Sequence, residues 1–251
     1  MKIAIVTGAS SGMGREAVLQ IAERFPKLEE IWVVARRKER LEELQKEVSV
    51  PLRIFPLDLA MESAQNVLKE ALEEAQPEVK ILVNSAGYGK MGAVGTNPLS
   101  DETGMVRLNC EALCAVTHIV LPFMTKNSRI IQFASSAGFL PQPDFAIYAA
   151  SKSFVLSYSR ALHAELGDRE IAVTAVCPGP VETEFFDNAQ TSAKTPFYKK
   201  MFMADPKKVV QKAICDSMMG KTVSVYGISM QAFALLCKVL PHDLILRIYR
   251  P

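Results

Sequence analysis

The chain has 251 residues, 49% of them hydrophobic, with a formal net charge of +2 and an isoelectric point near 8.2. This length and composition fit one α/β domain, and the weak charge without basic tracts argues against a nucleic-acid partner. The five cysteines show no metal or redox spacing, which is typical of a reducing compartment, and the histidines (His118, His163 and His242) form no metal cluster. Because an apolar strand follows directly after Met1-Lys2, we expect no signal peptide and a cytoplasmic protein.

Seven apolar, β-rich runs alternate with stretches of helical period. The predicted strands are 3–7, 31–35, 52–57, 81–84, 129–134, 171–177 and 222–226, and the predicted helices are 14–25, 37–48, 61–75, 99–124, 145–166 and 206–218. Asp205 is the predicted N-cap of the last of these helices, with Pro206 at its first position. The strict alternation predicts a Rossmann-like, doubly wound parallel sheet of about seven strands with helices on both faces, in a single domain over 1–227.

The first predicted strand ends in a glycine-rich turn over residues 7–14, Thr-Gly-Ala-Ser-Ser-Gly-Met-Gly, that opens a helix. Glycine permits positive φ and close backbone approach, so such a turn can bring a diphosphate against the free N–H groups of the helix. The same turn is also compatible with a plain connection between strand and helix.

Tyr148 and Lys152 lie four residues apart in a predicted helix, so their side chains share one face. An unperturbed tyrosine has a pKa of about 10, so proton transfer near neutral pH requires about 4 kcal/mol of preference for the phenolate. One positive charge about 4 Å away supplies roughly that amount at an effective dielectric of about 20. We therefore expect Lys152 to lower the pKa of Tyr148, although the same spacing also occurs in ordinary amphipathic helices with a surface lysine.

Four segments in this order resemble the short-chain dehydrogenase/reductase family, in its subgroup of about this chain's length. Residues 7–14 are similar to its TGxxxGxG turn, 84–87 (Asn-Ser-Ala-Gly) to its NNAG segment, Tyr148 to Lys152 to its YxxxK motif, and Pro178-Gly179 with Thr183 to its PG-to-Thr segment. Met13 stands where isoleucine is commonest, and Ser85 replaces the second asparagine. Neither departure touches a group that carries the chemistry.

The resemblance implies a catalytic set of Asn109, Ser135, Tyr148 and Lys152. Ser135 is preferred over Ser136 because it lies 13 residues before Tyr148, the usual family interval. Tyr148 would exchange a proton with the substrate oxygen, Ser135 would donate a hydrogen bond to it, and Asn109 would hold a water that relays the proton through Lys152. Taken alone, Asn109 also fits an ordinary mid-helix polar residue, and Ser135 a hydroxyl bonded to nearby backbone.

The resemblance also implies a dinucleotide site. The implied contacts are Gly8, Ser10, Ser11, Met13 and Gly14 to the diphosphate side, Asp58 and Leu59 to the adenine, Asn84 to the adenosine ribose, Val181 and Thr183 to the carboxamide, and Arg36, Arg37, Ala86, Gly87, Tyr148, Lys152, Pro178 and Gly179 around them. Arginine at 36 and 37, where NAD-preferring members usually carry an acidic residue, favours NADP(H) over NAD(H). The two arginines are also compatible with the start of a solvated helix face.

Residues 182–204 are rich in aromatic and methionine side chains: Phe185, Phe186, Phe197, Tyr198, Met201, Phe202 and Met203. In related enzymes this stretch folds over the substrate as a lid, so its composition favours a hydrophobic substrate. The same side chains also fit packing on the core or on a neighbouring subunit.

Residues 228–251 form an apolar extension beyond the last predicted strand. Its apolar run is too short to span a bilayer, so we expect it to dock over the substrate cleft or at a subunit contact. A peripheral membrane contact through Lys238, Arg247 and Arg250 stays open as the less favoured alternative.

These observations predict an NADP(H)-dependent oxidoreductase that interconverts a ketone and a secondary alcohol on a hydrophobic substrate, with a hydroxysteroid favoured. The alternatives are a reductase of 3-oxoacyl or small carbonyl substrates and, in another class, a dinucleotide-binding sensor or scaffold without turnover. Family analogy favours a homodimer or homotetramer built from the two long helices that carry Asn109 and Lys152.

Overall fold

The computed structural model describes residues 1–185 and 203–249, and its centre is one parallel sheet. The strands are β1 (Lys2–Thr7), β2 (Glu30–Val34), β3 (Leu52–Phe55), β4 (Glu78–Asn84), β5 (Met124–Phe133), β6 (Ala172–Val176) and β7 (Val223–Ser224). Their order across the sheet is β3-β2-β1-β4-β5-β6-β7, and all neighbours are parallel. The predicted doubly wound fold is confirmed.

Helices connect the strands on both sides. Within the described residues they are α1 (Gly12–Arg24), α2 (Lys38–Gln45), α3 (Glu62–Ala75), α4 (Leu99–Val106), α5 (Leu113–Val120), α6 (Ala146–Glu165), α7 (Pro206–Met218), α8 (Ile228–Val239) and α9 (His242–Tyr249). The predicted N-cap of α7 is confirmed, because the Asp205 carboxylate accepts a hydrogen bond of 2.8 Å from the Lys207 N–H and Pro206 opens the helix.

Side chains alternate along each strand and build one core on each face of the sheet. Ile3 and Ile5 of β1 point into the core formed with α3, α5 and α6. Ala4 and Val6 of the same strand point into the core formed with α1, α2 and α7. Burial on both faces explains why the strands read as nearly continuous apolar runs in the sequence.

The predicted helix over 99–124 is a continuous helical run with a wider, π-helical turn at Arg107–Ala112 between α4 and α5. By length and composition the run Leu99–Phe123 could cross a bilayer, but α5 packs its buried side chains against the sheet as an ordinary core helix. β5 begins directly after it, at Met124 rather than at residue 129, because Met124 pairs with Val79 before the register shifts.

The strand order reverses between β1 and β4. From β1 the chain continues through β2 and β3 towards one edge of the sheet, and from β4 it continues through β5, β6 and β7 towards the other edge. At the carboxyl ends of these two strands, the Thr7 hydroxyl accepts hydrogen bonds of 3.1 Å from the Ser85 and Ala86 N–H groups. A crevice opens at such a switch point, and ligands of doubly wound sheets bind there. The predicted site residues lie along this edge.

Candidate active site

The glycine-rich turn after β1 has room only for backbone at two of its positions. Gly8 has φ of +69°, and a Cβ there would lie 2.8 Å from the Ser85 and Ala86 backbone. A Cβ on Gly14 would overlap the Gly8 carbonyl oxygen. The turn therefore presses α1 close to the sheet, and the first N–H groups of α1 carry no side-chain cap from Ser11. The uncapped N–H groups at the start of α1, together with the absence of side chains at Gly8 and Gly14, suit the diphosphate of a dinucleotide.

Tyr148 and Lys152 lie one turn apart on α6 and are both buried, with 7% and 6% of their surfaces exposed. The Lys152 ammonium donates a hydrogen bond of 2.8 Å to the Phe133 carbonyl at the end of β5. Its nitrogen is 5.7 Å from the centre of the Tyr148 ring. The helix thus presents a phenol and an amine side by side at the carboxyl edge of the sheet.

Ser135 follows β5 and precedes a short 3-10 turn, Ser136–Phe139. Its side-chain oxygen accepts a hydrogen bond of 3.1 Å from the Ala137 N–H and is also hydrogen-bonded to the Tyr148 side chain. Ser136 is instead held through its backbone N–H, which donates to the Pro178 carbonyl at 2.8 Å. Of the two serines, Ser135 is therefore the one that is hydrogen-bonded to the phenol.

Burial, and not the neighbouring charge, dominates the protonation of this pair. Loss of water raises the pKa of Tyr148 to about 12, against a smaller lowering by the hydrogen bond with Ser135. Loss of water also lowers the pKa of Lys152 to about 8. The expectation that Lys152 brings the pKa of Tyr148 down is therefore wrong, because burial outweighs the other effects on Tyr148 and the Lys152 ammonium is hydrogen-bonded to the Phe133 carbonyl oxygen. Tyr148 is a protonated donor at neutral pH.

Asn109 lies in the π-helical turn and is completely buried. Its side-chain oxygen accepts from the Tyr88 N–H at 3.0 Å, and its side-chain nitrogen donates to the Tyr88 carbonyl at 2.9 Å and to the Ser151 hydroxyl at 3.0 Å. A Cβ on Gly87 would lie 2.8 Å from the Asn109 oxygen and 3.4 Å from the Lys152 nitrogen. Asn109 thus joins the loop after β4 to α6 beside the lysine.

Arginines gather at the other end of the turn. The Arg37 guanidinium donates to the Ser10 and Ser11 hydroxyls, at 2.7 Å in the shorter case. It also pairs with the Glu184 carboxylate at 2.9 Å. Arg36 is 75% exposed and lies 3.9 Å from the Asp58 carboxylate. A cluster of hydroxyls and guanidinium groups of this kind suits a phosphate.

Three of the residues expected near the adenosine are fixed mainly by the fold. The Asn84 side chain is buried, and its nitrogen donates at 3.0 Å to the Thr117 hydroxyl and the Gln132 side-chain oxygen. These two bonds tie β4, β5 and α5 together at the end of β4. The Asp58 side chain accepts from the Ala60 N–H at 3.1 Å, and Leu59 is buried.

A cavity of about 300 Å³ opens beside Ser135 and Tyr148. The Tyr148 ring is stacked on Phe145 at 4.3 Å between ring centres and lies tilted against Phe185 at 5.4 Å. Polar and apolar side chains line the cavity, none of them charged within the described ranges 1–185 and 203–249; the liners include Met13, Gln142, Pro178, Gly179, Val181, Thr183, Ser229, Met230 and Phe233. The described lining thus places the hydroxyl groups of Ser135 and Tyr148 among uncharged side chains.

A model of the family described as short chain dehydrogenase matches residues 2–194. The chain belongs to the short-chain dehydrogenase family. It is accordingly an oxidoreductase of alcohol and carbonyl groups that uses a dinucleotide, and the binding-only alternative falls away. The family model covers the glycine turn, the Ser135–Tyr148–Lys152 cluster and the segment after β6.

A curated relative of this dehydrogenase is sulfoacetaldehyde reductase 2 of Chromohalobacter salexigens, which is 37% identical over 193 residues, 73% of this chain and 74% of the relative. A solved short-chain dehydrogenase of Sphingobium yanoikuyae in complex with NADPH is 25% identical, has a TM-score of 0.79, and the match covers 96% of this chain and 97% of that one. A solved short-chain dehydrogenase/reductase of Burkholderia phymatum in complex with NAD is 20% identical and has a TM-score of 0.81. The match covers 100% of this chain and 95% of that one, and at this identity it supports the fold alone.

The apolar extension supplies part of the cavity wall through Met230 and Phe233, in agreement with the expectation that it docks over the substrate cleft. Two residues at this dehydrogenase's site were not predicted from the sequence: Phe145 lines the cavity, and Arg40 pairs with Glu184 at 2.5 Å. Of the residues expected in the lid, Phe185 lines the cavity and Met203 is partly buried, whereas Phe186, Phe197, Tyr198, Met201 and Phe202 lie outside the described residues.

Proposed function

We propose that this dehydrogenase interconverts a hydrophobic ketone and its secondary alcohol with NADP(H), and that hydroxysteroids are its favoured substrates. The observation that carries the proposal is the hydrogen-bonded pair Ser135 and Tyr148 in the wall of a cavity of about 300 Å³ whose described lining carries no charged side chain. Cavities of this size and lining suit rigid apolar ligands with one oriented polar group.

The two hydroxyl groups would hold the substrate oxygen between them. Tyr148 is protonated at neutral pH, so in the reductive direction it donates its proton to that oxygen, and Ser135 steadies the same oxygen with a hydrogen bond. The dinucleotide, when bound, supplies the hydride. The Lys152 ammonium lies beside the phenol and gives a proton back to Tyr148 after the transfer. Asn109 is the polar group next to Lys152 and contacts the loop after β4.

The part of the cavity lining that the structure describes argues against a small anionic substrate. A sulfonate or carboxylate needs a cation or several N–H donors, because burying an unpaired charge is strongly unfavourable. The described lining offers hydroxyl and amide groups beside Phe145, Phe185, Met230 and Phe233. A 3-oxoacyl chain is the second candidate, since its alkyl part fits the same walls.

The preference for NADP(H) rests on the cluster of Arg37, Ser10 and Ser11. A 2′-phosphate would receive charge-assisted hydrogen bonds from all three side chains, whereas the 2′-hydroxyl of NAD(H) would gain little. We expect Arg37→Gln to weaken NADPH binding about tenfold while NADH binding stays within about twofold. Arg15→Gln, which removes an exposed guanidinium paired with Glu47, is the matched control. Equal losses for both nucleotides in Arg37→Gln would contradict the preference.

The substrate class is tested by one absorbance screen of NADPH and NADH oxidation. Steroid ketones, 3-oxoacyl thioesters, small neutral ketones and sulfoacetaldehyde are compared at equal concentrations. We expect the highest kcat/KM with a steroid ketone and NADPH. Turnover confined to small polar carbonyls would contradict a hydrophobic substrate, and turnover confined to thioesters would select the 3-oxoacyl alternative.

A homo-oligomer built on the two long helices is also part of the proposal. Val106 of α4 and Phe154 of α6 are large hydrophobic side chains left exposed on those helices, and Phe154 stacks on Tyr158 at 6.0 Å. Covering them with a second copy would remove apolar surface from water. Light scattering that gives a monomer mass at micromolar concentration would contradict this.

A further inference from the structure

Glu184 lies between two arginines beside the glycine-rich turn, at the end of the crevice where we expect the adenosine of the cofactor and which we call the adenosine end of the cleft. One carboxylate oxygen pairs with Arg37 at 2.9 Å and the other with Arg40 at 2.5 Å. All three side chains are 42% exposed. Hydrogen bonds from Arg40 and then Arg37 hold the pKa of Glu184 below its usual value, so the group is an anion at neutral pH. The protein thus places its own anion on the guanidinium groups.

The same guanidinium that holds Glu184 also holds the hydroxyls of the glycine turn. Arg37 donates to Ser10 and Ser11 on one side and to Glu184 on the other. The preceding residue, Thr183, lies against the turn, because a Cβ on Gly12 would be 3.4 Å from its side chain. The chain after β6 therefore reaches over the turn to the arginines.

The residue after Glu184 belongs to the other end of the cleft. Phe185 lines the cavity, and its ring lies 5.4 Å from the ring of Tyr148. Two adjacent residues thus contact two different parts of the cleft. The Glu184 carboxylate is paired with the arginines, and the Phe185 ring lies against the Tyr148 ring.

We propose that the Glu184 carboxylate occupies the place of the 2′-phosphate, and that NADP(H) exchanges the carboxylate for its phosphate on Arg37 and Arg40. The inference rests on the proposed NADP(H) preference and goes beyond it, because it makes Glu184 a positioning residue that links cofactor binding to the wall of the substrate cavity. A phosphate with nearly two negative charges competes well with a singly charged carboxylate for two exposed guanidinium groups. NAD(H), with a hydroxyl at that place, cannot displace it.

The test measures binding of adenosine 2′,5′-bisphosphate and of 5′-AMP to the full chain by calorimetry. These probes cover the adenosine half of the cofactor and differ only in the phosphate under study. We expect Glu184→Gln to tighten binding of the bisphosphate by about three- to tenfold, because the competing anion is gone, and to leave 5′-AMP within about twofold. Glu182→Gln removes an exposed carboxylate from the same segment and is the matched control.

The outcomes separate this inference from the cofactor preference. If the wild-type protein prefers the bisphosphate but Glu184→Gln leaves its affinity unchanged, or tightens both probes equally, the exchange is overturned. If the wild-type protein binds both probes equally, the NADP(H) preference itself fails, and the exchange with it.

A second measurement needs no variant. Hydrogen exchange of the amides at 182–185 in the wild-type protein should become faster with saturating bisphosphate than with saturating 5′-AMP, because the segment loses its contact with Arg37 and Arg40. Neither probe carries the nicotinamide half that would cover Thr183. Equal or slower exchange with the bisphosphate overturns the proposal.

Discussion

The two ends of the cleft rely on different physics. At the catalytic end, Tyr148 and Lys152 are 7% and 6% exposed, and burial raises the pKa of Tyr148 to about 12 and lowers the pKa of Lys152 to about 8. At the adenosine end, Arg37, Arg40 and Glu184 are each 42% exposed, and their contacts are ion pairs and hydrogen bonds to hydroxyls. Desolvation governs the first end, and solvent-exposed charge governs the second.

This contrast shows why one chain can combine fixed chemistry with an adjustable cofactor site. A buried group keeps its geometry because its partners are internal, as Lys152 does on the Phe133 carbonyl. Exposed ion pairs are individually weak, so a ligand can replace them. Variants at the catalytic end should therefore change rate or pH dependence, and variants at the adenosine end should change affinity.

The largest expected effect comes from Tyr148→Phe, which removes the proton donor and keeps the ring stacked on Phe145. We expect kcat to fall by about 10³-fold, with NADPH affinity within about twofold of the wild-type value. Tyr158→Phe makes the same change ten residues further along α6 and should leave kcat unaltered. Steady-state kinetics and cofactor titration check both variants; ordinary turnover in Tyr148→Phe would rule out the phenol as the acid.

A smaller effect, on stability, should come from Lys152→Met. The pKa of Lys152 is about 8 in the folded protein and 10.5 as the reference value for the unfolded chain, so between these values the unfolded chain binds more protons. The free energy of unfolding therefore rises with pH in this window, and the substitution abolishes that contribution. Between pH 8 and pH 10 we expect the wild-type value to rise by about 2 kcal/mol relative to the variant.

Denaturant titrations at several pH values measure this difference. Tyr148, whose pKa is raised to about 12, is present in both proteins and cancels in the comparison below pH 10. Lys126→Met, which replaces an exposed lysine paired with Glu170, is the matched control and should run parallel to the wild type. Parallel curves for Lys152→Met as well would show that its amine is not desolvated.

The smallest effect should follow from Met230→Ala in α8. The Met230 side chain packs over Gly179, because a Cβ on that glycine would lie 2.6 Å from the Met230 sulfur. Removing part of this wall should raise KM for the preferred ketone about fivefold with little change in kcat, since only apolar contact is lost. Met219→Ala, at an exposed position after α7, is the control. A fall in kcat with constant KM would show that Met230 acts on the chemistry instead.

Much of the fold could be predicted because both faces of the sheet are buried, which leaves apolar runs at a recognisable period. The start of β5 could not, because residues 125–127 are polar and their place depends on the pairing of Met124 with Val79. The π-helical turn at Asn109 was also invisible, since one extra residue in a helix hardly changes the hydrophobic pattern.

At the site, motif spacing predicted a Tyr148 and Lys152 pair on one helix face, and the structure places both on α6. The direction of the pKa shift was missed, because a pattern gives the distance between two residues and not the water that each loses. The contact of Glu184 with Arg37 and Arg40 joins residues 147 and 144 positions apart. Only the folded chain brings them together.

The position of α8 against the loop after β6 divides the enzyme into separately variable parts. Tyr148 and the glycine turn precede residue 180, whereas Met230 and Phe233 of the cavity wall come from beyond β7. Evolution or a designer can therefore exchange the last two helices for those of a relative without altering a single strand. Such chimaeras would keep the catalytic residues and the cavity wall at Phe145 and Phe185 from one parent and would take the wall at Met230 and Phe233 from the other.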